Sequence, residues 1–251
     1  MSLIKQPFGF GAASKYEATT VRFDGTNDYM IKASDFTGAV DGKIFTCSYW
    51  VKYIGGDDAN QSIFSCGAKG PDHFRNSANK YYHHFEPPAG GAFVSFTTTN
   101  TWTVADGWMH VLFSFNVALG EDGVRIYIND VNDTSFGSSS DVDGEFTPGY
   151  WGFSKLYYNT SYKLNCEIAD FWIDNTYFDL DVEANRRNFI GADGKPVDLG
   201  ATGDGPTGSA PWCFLSIADG EVASDWATNK TGNGDFAITG TLALGASSPS
   251  D

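Results

Sequence analysis

Tyr81, Tyr82, His83 and His84, with Trp102 further along, gather rings and imidazoles in one stretch of this 251-residue chain. Flat aromatic rings offer a stacking surface to the apolar face of a pyranose, so Tyr81, Tyr82 and Trp102 are the candidate ligand-binding residues. Loop packing or subunit contact is the competing use of such a cluster where the aromatic share is 16%. Zinc at His83 and His84 fails on geometry, because adjacent side chains of an extended chain point to opposite sides. Glu167 and Asp170 sit three apart in a strand-like run, a spacing that predicts opposite faces and no shared chemistry. Cys47, Cys66, Cys166 and Cys213 lie far apart with no CxxC spacing, which indicates neither a zinc site nor a redox motif. Reduced thiols packed as small hydrophobes are expected, with one disulfide as the alternative outside a reducing cytosol.

The elements that must position these residues read as strands. In Trp108 to Val131, Met109, Val111, Phe113 and Phe115 alternate with His110, Leu112, Ser114 and Asn116, the period of a strand with one buried face. After the turn-prone loop Val117 to Gly123, Val124, Ile126 and Ile128 alternate again, which predicts a long antiparallel hairpin, with a third strand leaving toward Thr134 to Phe136. Ile44 to Tyr53 carries large groups on both faces and is expected to be buried on both. Further strands are predicted in Ala18 to Phe23, around Tyr29 to Ala33 after an Asp24-Gly25 turn, and in Ser62 to Gly67, Phe93 to Thr98, Tyr150 to Phe153, Leu164 to Ile173, Trp212 to Ile217 and Phe236 to Leu242. Ala68 to Gly91, which holds His73, His83 and His84, reads as the longest irregular stretch and therefore as a loop where binding residues tend to sit. Phe178 to Ile190 breaks the pattern and predicts a short helix capped by Asp179 or Asp181, with Val182, Phe189 and Ile190 on its apolar face.

Composition narrows the function classes. Hydrophobic residues make up 41%, enough for a real core, and 20 Phe, 12 Tyr and 29 Gly favour strands and tight turns. Sixteen Lys and Arg against 31 Asp and Glu leave a formal charge of −15 with no basic run. Nucleic acid and an anionic membrane are both disfavoured as partners, since each is bound through clustered positive charge. No segment reaches 18 continuous apolar residues, and residues 1–14 lack the apolar core of a signal peptide, so synthesis without Sec export is expected. Residues 1–15 are expected to form an N-terminal arm, 16–245 one β-sandwich domain, and 246–251 a flexible tail.

Four blocks in this order, VRFDGTNDYM at 21–30, FTCSYWVKY at 45–53, WMHVLFSFN at 108–116 with GVRIYINDV at 123–131, and IADFWIDNTYFDLDVEANRRNFI at 168–190, resemble the concanavalin A-like lectin/glucanase superfamily and its laminin-G-like branch. The resemblance implies an all-β fold, an antiparallel jelly-roll β-sandwich with one short helix. The closing part, WCFLS and SDWATNKTGNGDFAITGTL, is similar to laminin-G-like proteins among bacteriophage structural genes. It implies a non-enzymatic virion structural protein, a capsid decoration or tail-associated component, with other virion proteins and itself as partners in a homo-oligomer and surface glycans as a further partner. The rivals are a carbohydrate-binding or adhesion module and, behind it, a glycoside hydrolase.

Glucanases of this superfamily place two carboxylates on one strand around E-x-D-x-E. The nearest match is Asp179-Leu180-Asp181-Val182-Glu183, which departs at the first acid and falls where a capped helix start is expected, so no catalytic residue is assigned. Calcium often sits at the sandwich rim in this superfamily, and Asp57, Asp58 and Asn60, or Asp24 and Asp28, carry suitable hard oxygens. Neither set has a diagnostic spacing, and no metal or cofactor is assigned.

Overall fold

The computed structural model describes residues 16–67, 69–87, 94–138, 141, 143–147, 149–155 and 161–251; the expected arm at 1–15 lies outside them. Among the described residues the chain forms β1 (Val21–Asp24), β2 (Tyr29–Lys32), β3 (Ile44–Tyr53), β4 (Gln61–Ser65), β5 (Asp72–Arg75), β6 (Tyr81–Phe85), β7 (Val94–Thr98) and β8 (Met109–Asn116). Then follow β9 (Val124–Ile128), β10 (Val131–Asn132), β11 (Thr134–Ser138), β12 (Trp151–Phe153), β13 (Asn165–Asp174), the one-turn helix α1 (Glu183–Arg186), β14 (Cys213–Leu215), β15 (Ala237–Thr239) and β16 (Ala243–Leu244).

These strands pair antiparallel into two sheets. The first runs β10-β9-β8-β3-β13-β1-β16 with β14 beside β13, and the second runs β11-β7-β6-β5-β4-β12-β2-β15. The two sheets face each other across one large cluster of buried side chains, which is the expected all-β sandwich. Its centre is aromatic: the rings of Phe45 and Phe146 stack at 5.1 Å, and Phe113 lies 4.5 Å from the His73 ring. The β8–β9 hairpin forms with Val111 opposite Ile128 and Phe115 opposite Val124, so the alternation in both strands feeds one face. Among the described residues no helix is long and apolar enough to cross a membrane.

Several expectations are corrected. Ala68 to Gly91 is not one long loop, since β5 and β6 lie within it; their runs are four and five residues and rich in His and charge, which weakens the apolar alternation that marks a strand. The Asp24-Gly25 turn forms as expected, with Gly25 at φ 74°, and carries the chain from β1 in the first sheet to β2 in the second. Helix α1 has only four residues with Val182 at its N-cap, and Val182 is 47% exposed, while Phe189 and Ile190 are buried as expected. Residues 246–251 are docked: the Ala246 amide and the Ser247 hydroxyl donate to the Glu167 carboxylate, and the Ser248 hydroxyl donates to the Ala18 carbonyl. All four cysteines are buried free thiols.

Glu167 and Asp170 also depart from the simple alternation. A β-bulge interrupts the β13–β3 register between Ala169 and Trp172, and Asp170 occupies it with φ 49°. The extra residue returns Asp170 to the side that Glu167 already faces, where its Oδ1 accepts from the Tyr16 hydroxyl at 2.8 Å. The two acids remain separately engaged, one by the C-terminal tail and the other by Tyr16.

Candidate functional site

The outer faces of the two sheets differ. On the first sheet, Leu112, Tyr127, Trp172 and Phe214 are capped by Phe178, Leu180, Phe189 and Leu199 from the segment that contains α1. Trp50 and Ala169 on the same face are capped by Ala18 and Ile190, with Tyr16 and Trp108 packed alongside. Among the described residues no such cluster lies on the outer face of the second sheet. That face carries side chains that are only partly buried, Tyr82 and His84 of β6 among them.

Register decides which residues it carries. In β6, Tyr81, His83 and Phe85 turn inward while Tyr82 and His84 turn outward, as the alternating burial of the strand records. Phe74 stands opposite Tyr82 and Asp72 opposite His84, so both share that outer face. Thr97 and Ser95 of β7 continue the two rows on one side, and Ser62 and Ser65 of β4 continue them on the other. Ser65 pairs with Gly152 of β12, and Gly152 with Ile31 of β2, which brings Tyr29, two residues before Ile31, onto the same face. A Cβ at Gly152 would stand 2.8 Å from the Tyr150 hydroxyl, so that side chain would have to shift.

The result is a row of rings running across the strands. Phe74 and Tyr82 have centroids 5.2 Å apart, Tyr82 and His84 stack at 6.2 Å and 17°, and Tyr162 approaches Phe74 at 5.9 Å. Tyr162 is held there because its carbonyl accepts the Ser62 amide at 3.0 Å. Beside the rings lie polar groups suited to sugar hydroxyls. Asp72 is 7% exposed, and burial pushes its carboxyl up to about 7, with its Oδ1 without a hydrogen-bond partner. Partial burial likewise lowers His84, against the opposing pull of Glu86 at 3.9 Å, and raises Tyr82.

Of the three residues the sequence singles out, only Tyr82 belongs to this row. Tyr81 is fully buried in the core beside Tyr53 and His73, so its ring is closed to any ligand. Trp102 lies at the rim, packed against the core edge with its Nε1 donating to Asp133 Oδ2 at 2.8 Å. Phe74, Tyr162 and Tyr29 were not singled out; Tyr29 and Phe74 each stand alone in sequence, and only sheet order aligns them with Tyr82.

The candidate acids are engaged elsewhere. Asp181 pairs with Arg125 at 2.9 Å and accepts from the Tyr127 hydroxyl, Asp179 accepts the Asp181 amide, and Glu183 pairs with Arg187, all beside the covered face of the first sheet. Asp57 Oδ1 takes the Arg75 guanidinium at 2.8 Å, Asp58 and Asn79 exchange two hydrogen bonds, and Asn60 accepts the Ser77 amide. Asp24 accepts the Thr26 and Asn27 amides, while Asp28 accepts those of Asp24 and Thr241. Both oxygen sets suggested for calcium therefore fasten loops. Among the described residues, no group of three or more His, Cys, Asp or Glu side chains is arranged to hold a metal ion.

A laminin G-type family profile, described as the concanavalin A-like lectin/glucanases superfamily, matches residues 24–178. No curated protein matches the sequence. Among solved structures, one described as a candidate carbohydrate-binding protein from Bacteroides ovatus superposes with a TM-score of 0.62 at 14% identity, covering 93% of this chain and 62% of that one. The heptameric SAP-like pentraxin of Limulus polyphemus superposes with a TM-score of 0.54 at 12% identity, covering 93% of this chain and 97% of that one. This chain thus spans less than two thirds of the Bacteroides protein and nearly the whole pentraxin, and at these identities the likeness is one of fold.

Proposed function

As this chain belongs to the concanavalin A-like lectin/glucanase superfamily, we propose that it is a non-enzymatic, lectin-like recognition module that binds carbohydrate on the outer face of the second sheet. The observation that carries this reading is the row of Phe74, Tyr82 and Tyr162 on the one sheet face that no buried cluster of described residues covers. Rings in a row stack on successive apolar sugar faces, and Asp72, His84, Ser95 and Thr97 beside them supply hydrogen-bonding groups that fix orientation. The description of the Bacteroides structure as a candidate carbohydrate-binding protein supports the same class of ligand. Support for a binding rather than a hydrolytic role comes from the acids at 179–183, which are held in salt bridges and turn hydrogen bonds away from this face.

The test is binding to a printed panel of oligosaccharides by the parent and by Tyr82→Ala. Loss of binding with an unchanged thermal transition is expected. Retention of full binding by the variant, or release of reducing ends that depends on Asp181 and Glu183, would overturn the reading.

We further propose that the module is carried on a bacteriophage particle as a structural protein that contacts other virion proteins and itself. This placement rests on the resemblance of the closing segment at 212–242 to phage laminin-G-like proteins. Self-association would multiply weak sugar contacts, and residues 1–14 would dock on a neighbouring subunit. Mass spectrometry of purified particles tests it, together with deletion of residues 1–14; undiminished incorporation of the deletion variant counts against the arm.

A further inference from the structure

The ring row has a second end with a different charge. Tyr29 reaches the outer face of the second sheet from β2, opposite Thr239 of β15, and the register through β12, β4 and β5 sets it in line with Phe74 and Tyr82. From β2 to β6 is four strand spacings, or about 19 Å, at the usual separation of neighbouring strands. Two ammonium groups stand over Tyr29: Lys163 Nζ lies 4.5 Å and Lys155 Nζ 4.9 Å from the ring centroid. Lys163 is fixed by its neighbours, since the Tyr162 carbonyl accepts the Ser62 amide and the Leu164 amide donates to the Ser154 hydroxyl.

The chain has 16 Lys and Arg against 31 Asp and Glu, and several of its cations meet carboxylates: Arg75 with Asp57, Arg125 with Asp181, Arg186 and Arg187 with Asp130, and Lys230 with Glu221. Lys32 and Lys52 instead donate to the Ser34 and Ser247 hydroxyls. Among the described residues neither Lys155 nor Lys163 forms a salt bridge. The charged groups acting on the Tyr29 hydroxyl are both positive, and they add to the Thr239 hydrogen bond in holding that phenol below its usual range. Two like charges converging on one ring repel each other, and an anion placed between them removes that cost while gaining two charge-assisted contacts. Toward the other end of the row stand Asp72 of β5 and Glu86, just after β6, so the acids lie at the end away from the two lysines.

We propose that Tyr29, Lys155 and Lys163 form an anion subsite at one end of the ring row, so that the ligand is an acidic oligosaccharide whose carboxylate or sulfate sits over Tyr29 while neutral rings stack toward Phe74 and Tyr82. This rests on the carbohydrate reading of the same face. A lysine ammonium acts as a compact point charge with rotatable donors, which suits either anion and does not select between them. Contacts of this half-buried kind add modest affinity and weaken with salt.

The experiment compares neutral, uronate-bearing, sialate-bearing and sulfated members of one printed oligosaccharide panel at low and at 0.5 M (~4 Å screening length) sodium chloride. It uses the parent, Lys155→Gln/Lys163→Gln, Lys163→Gln alone and Tyr82→Ala, each checked for an unchanged thermal transition. Acidic members are expected to bind the parent about three- to tenfold more tightly than neutral ones, with the advantage lost in the double variant and reduced by salt. Binding of neutral members is expected to survive the lysine substitutions and to be lost with Tyr82→Ala. Equal binding of acidic and neutral sugars, unaffected by the lysine substitutions, overturns the anion subsite and leaves the carbohydrate reading standing. Absence of binding to every member overturns both. The uronate and sulfate arms separate the two sources of negative charge.

Discussion

At the scale of single residues, two adjacent tyrosines divide the labour of this chain. Tyr81 is fully buried and stacks on His73, whereas Tyr82 stands on the outer face against Phe74 and His84. Truncating a fully buried aromatic removes its transfer energy and leaves a cavity, a loss of about 3–5 kcal/mol. Truncating a ring that one face of solvent already reaches costs far less, about 1 kcal/mol. Tyr81→Ala is therefore expected to lower the urea midpoint sharply and Tyr82→Ala hardly at all, with the opposite order for glycan binding. Equal destabilisation by the two substitutions would mean that Tyr82 is buried as Tyr81 is. Arg75 is a second residue whose role is structural: it is fully buried, its guanidinium lies 3.8 Å from the Tyr53 ring centroid, and it ties Asp57 to the sheet.

At the scale of elements, the C-terminal segment is a clasp. Glu167 is 3% exposed, and its carboxylate receives the Ala246 amide and the Ser247 hydroxyl, while the Ser250 hydroxyl accepts the Ala18 amide. Deleting residues 246–251 leaves a buried carboxylate without these donors, at a cost of about 1–3 kcal/mol or more. For a domain of this size that corresponds to a fall of roughly 2–4 °C in Tm per kcal/mol, which differential scanning calorimetry reads directly. An unchanged Tm would show that water replaces the clasp. The contrast with the expected frayed tail marks where sequence reasoning stops: Ser, Pro and Asp at a terminus carry no hydrophobic signal, and what orders them is a glutamate about 80 residues away. Strands with strong alternation, such as β3, β8, β9 and β13, were legible because burial of one or both faces is written into the chain itself. The ring row was legible only at Tyr82. Tyr29 and Phe74 come from separate strands, and Tyr162 from a loop, and their alignment depends on which strand lies next to which. Periodicity says nothing of that order. The bulge at Asp170 was hidden for the same reason, since two-residue periodicity assumes that no residue is inserted.

At the scale of the whole molecule, the interior holds titratable groups whose shifts oppose one another. Burial lowers His73 and His110 to about 3 and lowers His83 well below its usual range, with both His83 ring nitrogens unpartnered. Burial raises Asp72 and Asp170 to about 7. A histidine whose folded value is depressed stays neutral in the fold while the unfolded chain takes up a proton near 6.5, so its contribution is present above that pH and is lost as pH falls toward 3. A carboxyl whose folded value is raised does the reverse: its contribution is present below about 4 and is lost as pH rises toward 7. Near pH 5 the unfolded chain therefore binds three more protons on these histidines and the fold two more on these acids. The net is one proton in favour of the unfolded chain, and half-buried His84, also lowered, adds in the same direction. Stability should then fall by about 1.4 kcal/mol per unit of acidification around pH 5. Removing the two acids as Asp72→Asn/Asp170→Asn abolishes the compensation and should steepen that slope to about 4 kcal/mol per unit. The same variant should exceed the parent in stability at pH 8, where the parent must hold two buried carboxylates ionised, and should lose that advantage by pH 5. Urea midpoints measured from pH 5 to 8 for both proteins decide it, and parallel curves would mean that the acids and histidines do not offset one another as their burial dictates.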